Sequence, residues 1–334
     1  MTRSLLLTTW KRLQSTAASP TAAARTKLDE FFQYHATKNA LKPLIYRPKN
    51  ANKLLTMDLR DPITKKKLTP KEPRATLSRA VFLDYLQEVQ QGKEGKGELV
   101  SWLRAWCQIP ARKTHVWGYL DSYMVAKMLA VSFFEIGGYT QLVNELYCQR
   151  KKFVSAKNPG VFNVEDFFNT LLMCNLQRNH ILQFNDVEIS KKKLANAWRR
   201  VSERENKTGL ANLLLDTLGK QMGYDCREVV KGLDMQTGEL DLPLWEQDKG
   251  ISKEQYLQKN DLVYLLSRTI LQFNEAEASN VDSPVVKFVD QYKQLSEELG
   301  KADLYDQYQD SMTQLWKKDE KKLAADEPVV EDAA

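Results

Sequence analysis

The first 28 residues contain no aspartate or glutamate; the earliest acid is Asp29. That absence excludes an ordinary mixed-charge surface helix. The segment instead carries Arg3, Lys11, Arg12, Arg25 and Lys27 among many Ser, Thr and Ala residues, the composition of a mitochondrial transit peptide. Leu6, Trp10 and Leu13 recur at i, i+4, i+7 while Lys11 and Arg12 point away, so a helix here is amphipathic and cationic. Leu5-Leu6-Leu7 is too short for a secretory core, and a spanning helix needs about 20 apolar residues. Residues 1–28 are therefore expected to be a transit peptide and basic lead addressed to the mitochondrial matrix. Arg12-Leu13-Gln14 before Ser15-Thr16 places the expected cut near 14.

Other scarcities narrow the chemistry. The chain has 3 His and 4 Cys. Cys107, Cys148, Cys174 and Cys226 form no Cys-x-x-Cys pair and lie on apolar helical patterns, so they are expected to be buried free thiols. His35, His115 and His180 show no i, i+4 pairing or ligand spacing. Gly-x-Ser-x-Gly, the dinucleotide fingerprint and the kinase signatures are all missing. No metal, cofactor or small-molecule substrate is expected, and the chain does not read as an enzyme. Glu165-Asp166 fits carboxylates meeting the dipole at a helix start. Long apolar runs are also missing: the most apolar, Met124 to Phe134, is interrupted by Lys127 and ends at Glu135, which excludes a transmembrane segment. A hydrophobic share of 43% still suffices for a substantial core.

Charge of one sign is what the sequence has in excess, and it is unevenly placed. Residues 1–200 hold 33 Lys/Arg against 16 Asp/Glu, whereas residues 201–334 hold 16 against 27. The basic part is suited to a polyanion, and the acidic part to solvent or a basic protein. The densest stretch, 38–79, contains Lys42, Arg47, Lys49, Lys53, Arg60, Lys65, Lys66, Lys67, Lys71 and Arg74, and is punctuated by Pro43, Pro48, Pro62, Pro70 and Pro73. Proline removes amide donors and biases the preceding residue to extended geometry. Residues 29–75 are therefore expected to be an extended basic arm able to track phosphates, or else a linker lying on the surface.

From Thr76 the period turns helical. Leu77, Val81, Leu83, Tyr85, Leu86 and Val89 make one amphipathic helix, and Leu99, Trp102, Leu103 and Trp106 another, with the glycine-rich 92–97 between them. Further helices are expected near 117–136, 139–151, 164–177, 190–204, 208–222, 252–274, 283–299 and 302–323, with Gly137-Gly138 as a helix stop. The expected architecture is an all-α body over 76–323, basic to about 204 and acidic after, built from stacked antiparallel helix pairs. The acidic 324–334 is expected to be a disordered tail. A weak period of 41–43 residues admits a helical repeat; an irregular helical domain fits as well.

Within 190–204, Leu194, Trp198 and Val201 form the apolar face. Lys192, Lys193, Arg199 and Arg200 lie on the remaining circumference, with Arg204 beyond. Docked by its Trp face, this helix presents a basic ridge that can grip a nucleic-acid backbone. Cations near a helix C-terminus are also simply favoured by the dipole.

The presequence Arg12-Leu13-Gln14-Ser15-Thr16, the Pro-broken basic stretch and the helix-rich body with its acidic tail together resemble fungal mitochondrial ribosomal proteins, particularly the mitochondrion-specific ones of the small subunit. The resemblance implies a structural role, with the arm and basic helix on ribosomal RNA and the acidic half on neighbouring ribosomal proteins. A dissociable RNA-binding or translation factor of helical-repeat type and a matrix enzyme without a recognisable motif are the competing readings.

Overall fold

The computed structural model describes residues 20–60, 66–91, 95–107, 109–110, 113–155, 159–232, 240–247 and 250–325. The leading segment through Ser19, Lys65 and the tail from Asp326 lie outside the described residues. The chain divides into two compact units, Met1–Lys93 and Glu94–Ala334. Among the described residues the structure is all-α, with no sheet.

The first unit is built on α1 (Pro20–Ala36). Its Ala24, Leu28, Phe31 and His35 recur at helical spacing and are all buried, giving one face for packing. Between α1 and the last helix of the unit lie α2 (Lys42–Tyr46), a 3-10 turn (Pro48–Asn50) and α3 (Ala51–Thr56). A small core of Ile45, Tyr46 and Leu54 is flanked there by Tyr34, Leu41, Leu44, Leu59 and Leu68. The unit closes with α4 (Arg79–Gln91), which packs along α1 and buries Phe82, Tyr85, Leu86 and Val89.

This corrects the expected extended arm over 29–75. Pro43 and Pro48 occupy the first turn of their short helices, where the missing N–H costs nothing and the fixed φ already suits a helix. The prolines thus start elements instead of forbidding them. The segment after α3 folds back through an antiparallel bridge between Arg60 and Lys67, with the Leu68 amide on the Leu59 carbonyl at 2.7 Å. Lys71 then donates its amide to the Ile45 carbonyl at 2.9 Å. The expected boundary at 28/29 falls inside α1, and α4 belongs with the N-terminal unit, not with the helical body.

The second unit contains α5 (Gly95–Trp106), α6 (Thr114–Trp117), α7 (Ser122–Val131), α8 (Tyr139–Ser155), α9 (Asn169–Ile181), α10 (Val187–Arg200) and α11 (Leu210–Met222). It continues with α12 (Lys253–Phe273), α13 (Glu275–Ala278), α14 (Pro284–Glu298) and α15 (Leu304–Ala325). Asp121 caps α7 by accepting from the Met124 amide at 2.9 Å. The helix is buried from Met124 to Val131 and runs into a π-helical turn, Ser132–Ile136. Gly137 and Gly138 stop it at φ +89° and +76°, a region that carries a steric penalty for a residue with a β-carbon.

The centre of this unit is α9, which packs on α7, α11 and α12, while α15 returns to the Ser132–Ile136 turn. In a linear array each pair touches only its neighbours. Contacts here join elements far apart in sequence, so the 41–43 residue period does not organise the packing, and the body is an irregular helical domain. Inside it, Lys127 pairs with Asp261 at 2.6 Å, tying α7 to α12. Cys107, Cys174 and Cys226 are buried as expected; Cys148 is exposed.

Candidate nucleic-acid interface

The basic residues of the first unit divide into two groups. Arg47, Lys49 and Lys53 are exposed, and no carboxylate among the described residues lies within ion-pair distance of them. Lys49 lies in the 3-10 turn and Lys53 in α3, whose buried residue is Leu54. Lys42, Lys71 and Arg74, by contrast, are engaged within the unit. Lys42 sits over the Tyr34 ring at 4.3 Å, Lys71 Nζ donates to Gln33 Oε1 at 2.6 Å, and Arg74 Nε donates to Glu30 Oε2 at 2.8 Å. These two donors, with the Nε2 of His35 at 3.0 Å from the Ala75 carbonyl, strap residues 71–75 onto α1.

At the fold-back, Arg60 and Lys67 flank Asp58 at 3.7 and 3.2 Å. The Lys67 hydrogen bond and the charges of Lys67 and Arg60 hold the Asp58 carboxyl below its ordinary pKa. Lys66 is exposed on the same turn. Lys65 lies outside the described residues.

In the second unit, α10 docks as its pattern requires. Leu194 and Trp198 are buried, as is Val201 just beyond the helix, and the Trp198 indole N–H donates to the Lys231 carbonyl at 2.9 Å. The helix limits differ from those expected: it starts at Val187, behind an Asp186 cap that accepts from the Ile189 amide at 2.9 Å, and ends at Arg200. Asp186 and Glu188 meet the positive end of the dipole and Arg199 and Arg200 the negative end. Lys192 and Lys193 therefore sit mid-helix, and Arg204 lies outside it. Val201 is extended at ψ 123°, which turns the chain out of the helix before Arg204 is reached.

Lys192 and Arg199 are exposed, and no carboxylate among the described residues is within ion-pair distance of either. Lys193 is over the Phe184 ring at 4.7 Å. Arg200 is over the Tyr147 ring at 4.7 Å, and Arg204 over the Trp198 indole at 4.8 Å. Cation–π contact fixes a guanidinium without neutralising it, so these side chains are positioned and still charged. The nearby Glu165 does more than meet a dipole. Its carboxylate accepts from the Thr208 amide at 3.1 Å and from the Thr208 hydroxyl at 2.6 Å, and burial raises its pKa.

Among the described residues no group of three or more His, Cys, Asp or Glu is placed to hold a metal, and no helix is long and apolar enough to cross a membrane. Sequence reasoning missed Arg178, which lines one cleft together with Lys193; burial and then the Arg178 charge lower the lysine's pKa. Its signal was its place at i+7 from Leu171 on one face of α9.

Two family models match the chain. One, described as the MRP13-like N-terminal domain, covers residues 2–88. The other, described as the MRP13-like C-terminal domain, covers residues 96–325. The interval between them contains the boundary at 93/94 that separates the two compact units, so the division in sequence and the division in structure agree.

Proposed function

Since the chain belongs to the MRP13-like family of yeast mitochondrial small-subunit ribosomal proteins, and is accordingly a structural component of that subunit in the matrix with ribosomal RNA and ribosomal proteins as partners, we propose that it grips RNA through one basic surface on each unit. On the first unit these are Arg47, Lys49 and Lys53, with Lys66 and Lys67 at the fold-back and Lys65 next to them in sequence. On the second they are Lys192 and Arg199, with Arg200 held on Tyr147 and Arg204 on Trp198. The observation that carries this reading is the exposure of Arg47, Lys49, Lys53, Lys192 and Arg199 with no carboxylate of the described residues paired to them. Such cations add little to folding, yet each phosphate they neutralise releases counterions.

Lys71 and Arg74 have a different role: they hold residues 71–75 against α1. The acidic part after 201 faces ribosomal proteins and solvent. The family implies a non-enzymatic role, and no chemistry is assigned to any residue.

Cosedimentation with purified small subunits at increasing salt tests the reading. Replacing Arg47, Lys49 and Lys53 together by Gln is expected to release the protein at lower salt than the parent, with an unchanged circular dichroism spectrum. Arg74→Gln is expected to lower thermal stability while leaving the salt of release unchanged. Equal release for the triple variant and the parent would assign the first unit to protein contacts.

A further inference from the structure

A cleft of about 240 Å³ opens in the second unit where faces of three helices converge. From α8 come Tyr139, Asn144 and Tyr147; from α9, Asn175 and Arg178; from α10, Lys193 and Asn196. The spacings are those of single helix faces, and the cleft shares α10 with the ridge of Lys192 and Arg199. Its lining therefore continues the surface assigned above to RNA.

No carboxylate lines the cleft, whereas two cations and three amides do. Arg178 Nη2 donates to Asn175 Oδ1 at 2.9 Å, which fixes the guanidinium on its face of α9. The side chains of Asn144 and Asn196 make no hydrogen bond among the described residues. Tyr139 and Tyr147 supply the aromatic part of the lining, side chains of the kind on which unpaired RNA bases lie. The volume is below the roughly 300–1,000 Å³ of drug-sized sites, which suits one base and its phosphate and is too small for a folded partner.

The amides favour one of the polyanions that two cations could attract. A carboxylate side chain offers acceptors only and engages just the N–H halves of Asn144 and Asn196. A base edge offers donors and acceptors together.

We propose that this cleft holds one unstacked nucleotide of an RNA strand lying along α10, its phosphate against Arg178 and Lys193 and its base edge on Asn144 and Asn196. The assignment rests on the reading of α10 as an RNA surface. Burial and the neighbouring Arg178 charge depress the Lys193 pKa, an opposition that a bound phosphate relieves. The target is consequently a bulge, loop or single-stranded junction; a continuous duplex presents no free base to the cleft.

The test uses the full chain, fluorescence anisotropy, a labelled single-stranded RNA 12-mer of mixed sequence and the blunt duplex of the same sequence. Asn196→Phe and Asn144→Phe fill the cleft from opposite walls, at exposed positions and without changing charge. Each is expected to weaken single-strand binding about tenfold, within the range for one stacked base, and to leave duplex binding unchanged. Lys192→Gln combined with Arg199→Gln is expected to weaken both RNAs. Unchanged single-strand affinity in both Phe variants, with the ridge variant still impaired, would overturn the nucleotide cleft and leave the ridge standing. An equal loss on single strand and duplex in both Phe variants would overturn it too, because a disturbed helix surface behaves that way. A ridge variant with normal affinity for both RNAs would remove the RNA reading of α10 itself. Displacement of the single strand by a glutamate 12-mer from the parent but not from Asn196→Phe would assign the cleft to an acidic peptide.

Discussion

Lys127 interrupts the most apolar run of the sequence, and its pairing explains its presence there. Its ammonium is 2.6 Å from Asp261, whose carboxylate also accepts from the Tyr123 hydroxyl at 3.1 Å. Burial opposes the Lys127 charge, but the Asp261 carboxylate prevails and raises the lysine's pKa. Lys127→Met leaves the largely enclosed Asp261 without its cation, so a loss of about 3–5 kcal/mol is expected in urea unfolding, largely recovered when Asp261→Leu is added. A single variant as stable as the parent would show that water reaches the site. Glu135 behaves oppositely: burial pushes its carboxyl up to about 7, while the unfolded chain titrates near 4.3. Between those values the folded state binds more protons than the unfolded state, so stability falls as pH rises through the window, and the loss is complete above about 7. Glu135→Gln keeps the neutral shape. It is expected to be nearly neutral at pH 5 and to stabilise by up to about 3 kcal/mol at pH 8, read as the difference between urea midpoints at the two pH values.

Helix α10 and the short helices of residues 42–56 show what was legible at the level of elements and what was not. Helical spacing identified the body helices to within a few residues, because a buried face at a 3.6-residue period leaves a local trace. The Trp198 face of α10 was visible for that reason. Its start was not, since the expected helix began at residue 190 and the Asp186 cap that opens it lies outside the apolar pattern. The short helices of residues 42–56 were missed because Pro43 and Pro48 read equally as breakers and as first-turn residues, and only the small core around Ile45 and Leu54 decides. The straps from Lys71 to Gln33 and from Arg74 to Glu30 join residues about forty apart, beyond any local pattern. The cleft of the second unit was illegible likewise, being made by three helices at once. Helix α1 carries a consequence for import. Leu28 is fully buried on it, so processing that removed residues 1–28 would take half of the helix. The mature N-terminus is expected upstream of Pro20, as mass spectrometry of the matrix protein would show, and Leu28→Ala is expected to cost about 2–5 kcal/mol. A mature chain beginning after Leu28 would mean that α1 is not part of the assembled protein.

At the scale of the whole molecule, the proposal places two basic surfaces, one on each compact unit, on one polyanion. Phosphate neutralisation contributes a salt slope of about 0.7–0.9 per contact wherever the contact sits, whereas protein contacts in the acidic part contribute no such count. The slope of log affinity against log salt therefore reports the number of engaged cations across the chain. Neutralising Arg47, Lys49 and Lys53 is expected to lower that slope by about 2–3 units on a fragment of ribosomal RNA. Neutralising Lys192, Arg199 and Arg204 is expected to do the same, and the two losses should add in the combined variant, because counterion release at separate sites is independent. A combined loss no larger than that of one set would mean that only one unit touches RNA at a time, and a first set without effect would leave 42–74 to protein neighbours. Affinity at a single salt concentration cannot separate these outcomes, since a lost protein contact and a lost phosphate contact both weaken binding; only the phosphate contact changes the slope.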